Sequence, residues 1–225
     1  MHVLPAPLAP LAAYNQFVLY KLVPQPDGKT AKIPLSWQTL APASAHDPAN
    51  WLSADLACAW SLATSHHVGF AFTANDPFWF IDLDDCLTPT GWSAEATAVC
   101  HALPGVAIEV SQSGRGLHLI GTGTPPPHAT APNDRLGLYT AGRFVALTGT
   151  HATGSAATDC TATLPAVVAR WFPPRAADLT PAADWTTAPV PEWRGPLDDD
   201  ALVAKALASV SAAGAFGSRA TMRQL

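Results

Sequence analysis

Apolar residues come in short blocks along this chain, and most blocks end at a strong turn signal. Residues 15–23 (NQFVLYKLV) form a strand pattern closed by Pro24-Gln25-Pro26-Asp27-Gly28. The next block, KTAKIPL at 29–35, is short enough to return as the second strand of a hairpin. Asp47 with Pro48 behind it is an N-cap and first-turn signature, and predicts a helix over 47–65. VGFAF at 68–72 and WFIDL at 79–83 flank the turn Asn75-Asp76-Pro77, which predicts antiparallel neighbours. A helix is expected over 90–103, ended by Pro104-Gly105, followed by a strand at 106–111. Short strands at 136–140 and 143–149 flank Ala141-Gly142. A closing helix spans 163–172, with Pro165 tolerated in its first turn. Residues 1–13 read as a flexible lead-in and 173–196 as a linker rich in Pro, Ala and Thr. Residues 197–225 read as a helical appendage that stops without a terminator, as a piece of a longer protein would.

The block Phe78-Trp79-Phe80-Ile81-Asp82-Leu83-Asp84-Asp85 carries the first chemistry. Alternation along a strand puts Asp82 and Asp84 on one face, with Leu83 and Asp85 on the other. Two adjacent carboxylates at the end of a buried strand call for a positive partner, and a hard-oxygen set suits Mg²⁺ or Mn²⁺. The second informative block is Ser111-Gln112-Ser113-Gly114-Arg115-Gly116-Leu117-His118. Its glycines let backbone N–H groups approach a ligand, Ser113 and Arg115 suit phosphate oxygens, and His118 faces away from Leu117 and Leu119. Arg143 opens the strand at 143–149, where a charge needs a partner: a core carboxylate, or the phosphates of a nucleotide. Lys29 and Lys32 follow the first turn. They are read as solvated, or as point charges for a phosphate contact.

Composition narrows the class. The 225 residues are 48% hydrophobic and 13% charged, with net charge −5, which argues against a broad nucleic-acid surface and leaves room for a site where cations supply the positive charge. Glu95 reads as a solvated surface residue. The four cysteines lack C-x-x-C spacing, which argues against a zinc ribbon, and a Cys86–Cys100 pair stays open. No apolar run reaches the ~18 residues that span a bilayer, and the N-terminus has no basic leader, so a cytosolic protein without membrane contact is expected. Asp198, Asp199 and Asp200 precede the amphipathic stretch 201–210 and read as helix-capping acids.

Taken in order, D-L-D, S-x-S-G-x-G-L-H and L-Y-x-x-G-R-F-V-A-L-T-G resemble the prim-pol domain of the archaeo-eukaryotic primase superfamily, as carried by phage and plasmid replication proteins. Phe17 to Lys21, Lys29 to Pro34, Asp47-Pro48, Trp51 and Gly69-Phe70 resemble that group's first segment, so the resemblance covers residues 14–172. It implies an α+β fold: an RRM-like antiparallel sheet packed with an N-terminal αβ unit, the active-site cleft between them, and a small C-terminal helical segment. It implies template-directed nucleotidyl transfer, as primase and/or DNA polymerase, on single-stranded DNA with NTP or dNTP. A helicase domain or subunit is an expected partner, and the host cytoplasm the expected compartment. Asp82 and Asp84 map onto the metal pair. Ser111, Ser113, Gly114, Arg115, Gly116, His118 and Arg143 map onto nucleotide binding, and Lys29 and Lys32 are candidates for the template. Many relatives carry a further acid where this chain has Gly137. Glu109, which shares a face with Ser111, is the expected third metal ligand and catalytic carboxylate, with Asp134 as second choice. Two metals ~3.5–4 Å apart would then stabilise the attacking and leaving oxygens. The alternatives are a catalytically weak nucleotide- or DNA-binding module of a replication initiator, a metal-dependent nuclease, and a DxD glycosyltransferase.

Overall fold

The computed structural model describes residues 3–26, 28–174, 198, 200 and 201. The chain divides into two units, Met1–Leu179 and Thr180–Leu225. In the second, the Asp198 carboxylate accepts from the backbone N–H of Ala201 at 2.7 Å, as a capping acid does, and 202–210 lies outside the described residues.

The first unit is α+β. In chain order its elements are β1 (Phe17–Pro24), β2 (Thr30–Leu35), α1 (Ala54–Thr64), β3 (His67–Phe72), β4 (Phe78–Leu83), β5 (Leu87–Thr88) and β6 (Gly91–Trp92). They continue with α2 (Ala94–Ala102), β7 (Ala107–Val110), β8 (Leu117–Thr122), β9 (Leu136–Tyr139), β10 (Arg143–Ala146) and α3 (Leu164–Trp171). Two four-stranded antiparallel sheets dominate, ordered β10-β3-β1-β2 and β7-β8-β4-β9. The second runs β4-α2-β7-β8-β9 along the chain with its first strand, β4, central, and α2 and α3, the latter arriving after β10, pack on one face in an RRM-like layer.

Period-two patterning sets these layers. Trp79, Ile81 and Leu83 of β4 point to the helical face, where they meet Ala96 and Val99 of α2 and Val167 and Val168 of α3. Phe78 and Phe80 point to the other face and join Phe17, Leu19, Phe70 and Phe72 of the first sheet in a shared core. Rings lock it: Phe72 stacks on Phe80 at 5.6 Å, and Phe70 meets Phe72 edge-on at 5.0 Å. The next residue on that inter-sheet face of β4 is Asp82.

The structure corrects four expectations. β3 and β4 are not paired. Asp76 ties the turn between them by accepting from the N–H groups of Thr73 and Phe78, and the strands enter different sheets whose faces pack together. The lead-in contains a 3-10 helix at Ala6–Ala13, because its prolines suit tight turns and Leu8 and Leu11 are buried in the core. The helix expected from Asp47 begins at Ala54, capped by Ser53; Asp47 caps only a 3-10 turn, Pro48–Asn50, and Leu52 bridges to Phe17. The helix expected from residue 90 begins at Ala94 under a Ser93 cap, after Gly91 at φ 122° has closed the β5–β6 hairpin. All four cysteines are free, and burial followed by the neighbouring Cys86 pushes the Cys100 thiol up to about 11. Among the described residues no helix is long and apolar enough to cross a membrane.

Candidate functional site

Strand register alone assembles the site. Asp82 lies opposite His118 on one side and Gly137 on the other, and His118 lies opposite Glu109. Glu109, His118, Asp82 and Gly137 therefore form one row across β7, β8, β4 and β9 on the inter-sheet face. The row behind it is Ala107, Ile120, Phe80 and Tyr139, apolar except for the tyrosine hydroxyl. Polar chemistry begins where the shared core stops.

The glycine-punctuated loop is fastened beside the same strand end. Ser111 N–H donates to the Gly116 carbonyl at 2.8 Å, and Gly114, at φ 73°, turns the loop by donating to the Ser111 carbonyl. A Cβ on Gly116 would stand 2.5 Å from the Leu83 carbonyl oxygen, so only glycine lets the loop lie against the end of β4 and next to Asp84. Ser111 is buried and Ser113 exposed, with their hydroxyls 3.1 Å apart. Arg115 does not reach into the row. Its Nε donates to Asp85 at 2.7 Å, and both side chains are more than half exposed, so this pair fastens the loop at the surface.

The first sheet supplies Arg143, which shares the inter-sheet face with Val145. Its guanidinium lies 4.4 Å above the Tyr139 ring and donates to Asp82 Oδ2 at 3.2 Å. Asp82 is 13% exposed, and its Oδ1 is buried without a hydrogen-bond partner among the described residues; His118 Nε2 lies 3.9 Å away. A buried carboxylate oxygen left unpaired is costly, and its presence marks a place for a positive ligand. Asp84 lies at the exposed mouth of the strand. Partial burial first, then Asp82, pushes its carboxyl above the ordinary range, and Lys32, His118 and Arg143 pull it back. Lys32 thus acts on the site through its charge, while Lys29 is exposed beside the first turn.

The expected third carboxylate is not delivered. Glu109 is 1% exposed, and its oxygens are taken by His118 Nδ1 at 2.9 Å, Thr148 N–H at 3.1 Å and Gly149 N–H at 2.7 Å. At Gly137 a Cβ would meet the Tyr139 ring at 2.5 Å, so the position where the resemblance leads one to expect an acid is filled by an aromatic edge. Asp134 lies in an exposed bend. Among the described residues no three acidic, His or Cys side chains converge on one cation position. The unpaired Asp82 Oδ1, with Asp84 next on the same strand face, suits a hard divalent cation. Tyr139 and the Thr148–Gly149 amides escaped the sequence reading. For Tyr139 the signal was there, since residue i+2 on a strand shares the face of Gly137.

No family model matches the chain. It is similar to a DNA primase-polymerase of Nitratiruptor phage NrS-1, 31% identical over 150 residues, which is 62% of this chain and 20% of that protein. The chain therefore spans about a fifth of the length of the curated relative it matches. The likeness supports a prim-pol domain here, in agreement with the ordered D-L-D, S-x-S-G-x-G-L-H and G-R-F motifs.

Proposed function

We propose that this domain carries out template-directed nucleotidyl transfer in phage or plasmid replication, as a primase, a DNA polymerase or both. The observation that carries the reading is the cross-strand row of His118 and Asp82, with Arg143 reaching it from the opposite sheet and the Ser111–Gly116 loop at its end. A ligand with both a cation and a polyphosphate would use all of these groups at once.

In this reading Asp82 and Asp84 hold Mg²⁺ or Mn²⁺. When bound, the cation supplies charge stabilisation to the oxygens of the reacting phosphate. Arg143, drawn from Asp82 to the nucleotide, faces the β and γ phosphates, and His118 presents Nε2 to the nucleotide as an acceptor for a sugar hydroxyl or a bound water. Ser113, on the loop, lines the same side. Lys32 lends positive charge at the mouth, where the template backbone approaches, and Lys29 extends that edge. Net charge −5 then suits a protein that releases its product. Single-stranded DNA and NTP or dNTP are the proposed substrates.

A second reading, a nucleotide- or DNA-binding module with weak catalysis, is favoured by one observation: the third carboxylate position is Gly137 under Tyr139. The two separate on oligonucleotide synthesis. With single-stranded template, nucleotides and Mg²⁺ or Mn²⁺, the catalytic reading expects cation-dependent products. The module reading expects cation-dependent nucleotide binding without them. Cleavage of the template in place of synthesis would support a nuclease.

A further inference from the structure

We propose that Glu109 is a positioning residue. It fixes His118 in one tautomer and one orientation, and clamps that histidine to the strand crossover joining the two sheets. The inference rests on the nucleotide reading of the site and replaces the metal-ligand role that Glu109 was expected to have.

Glu109 and His118 are direct cross-strand partners, and both are buried. Thr148 and Gly149 follow β10, where the chain leaves the first sheet and runs along β7; Val110 N–H donates to Thr150 and Ile108 N–H to Thr153. Their N–H groups are donors without alternative. Thr148 shares its hydrogen between Oε1 and Oε2, at 3.2 and 3.1 Å, and Gly149 donates to Oε2 at 2.7 Å. The Glu109 carboxylate can therefore only accept on that side. On its other side Oε1 stands 2.9 Å from His118 Nδ1, so Nδ1 is the nitrogen that carries hydrogen, and Nε2 is presented to the site beside Asp82. Phe80 meets the imidazole edge-on at 5.2 Å and closes the remaining side. A carboxylate behind a histidine sets its tautomer and ring plane in this way in metal sites and catalytic triads. The T-G that ends the third motif thus has a physical purpose, since its two amides occupy the carboxylate that aims the histidine.

Glu109→Gln tests this sharply. The two fixed backbone donors would claim the amide oxygen, which turns the amide NH₂ toward His118 Nδ1 and drives the proton to Nε2. ¹⁵N–¹H spectra of the imidazole should show Nδ1–H in the unaltered protein, Nε2–H in Glu109→Gln, and Nδ1–H retained in Glu109→Asp, whose carboxylate still only accepts. Calorimetric titration of ATP and dATP with Mg²⁺ should show a loss of roughly 10–100-fold in affinity for Glu109→Gln. The same substitution should cost little in a His118→Ala background. An Nε2–H imidazole in the unaltered protein overturns the inference, and that spectrum needs no variant to fold. So does an equal loss from Glu109→Gln with and without His118, which is the behaviour of a purely structural buried acid. Unchanged nucleotide affinity in His118→Ala alone would instead overturn the nucleotide reading beneath it.

Discussion

Asp82 is held by a guanidinium on one oxygen, and its other oxygen has no hydrogen-bond partner among the described residues. Partial burial and Asp82 raise the Asp84 carboxyl, so its proton must leave before a cation is held there. Cation affinity, measured by Mn²⁺ titration across a pH series, should therefore fall as pH drops through that raised value and recover above it. Arg143 pulls the Asp84 carboxyl down, so Arg143→Ala should move the transition to higher pH. A transition that stays in place would remove Arg143 from the electrostatics of the pair. Gly137 makes a complementary prediction. Gly137→Asp, which would place an acid beside Asp82, meets the Tyr139 ring and should cost about 1–3 kcal/mol in denaturant melts. Pairing it with Tyr139→Ala should return the part of that cost due to the clash. Much of this residue-scale picture was legible, because alternation on a strand assigns Asp82, Asp84 and His118 to their faces. The partners of Glu109 were not, because its two backbone donors lie 39 and 40 residues away and no local pattern reports them.

At the scale of elements, β4 does two jobs with one alternating run. Its odd residues fill the helical core and its even residues run from the shared aromatic core into the carboxylates. The turn between β3 and β4 reads the same whether the strands pair or part. The choice is made by β10, which arrives from 71 residues beyond Phe72 to pair with β3, beginning at Arg143 opposite Phe72. That long-range pairing is invisible in local sequence, and it is also what carries Arg143 to Asp82. The loop between β7 and β8 depends on close approach to β4, and Gly116 is its contact point. Gly116→Ala should cost about 1–3 kcal/mol in a thermal or denaturant melt and weaken nucleotide binding, since the Leu83 carbonyl cannot retreat without disturbing Asp84. A variant with unchanged stability and affinity would show that the loop does not need that seat.

In the first unit, two antiparallel sheets share one core and leave a polar edge where they part, and the groups of the proposed site come from both. The charge balance predicts how such a domain meets DNA: weak binding of bare single strands, strengthened by cation and nucleotide and steeply weakened by salt. Tight, salt-insensitive binding of DNA alone would contradict it. The most direct test of the central claim is incorporation of nucleotides on a single-stranded template with Mg²⁺ or Mn²⁺, comparing the unaltered chain with Asp82→Ala/Asp84→Ala after melts confirm that both are folded. The account predicts products from the first and none from the second. Undiminished product from the double variant would place the chemistry elsewhere and contradict the claim.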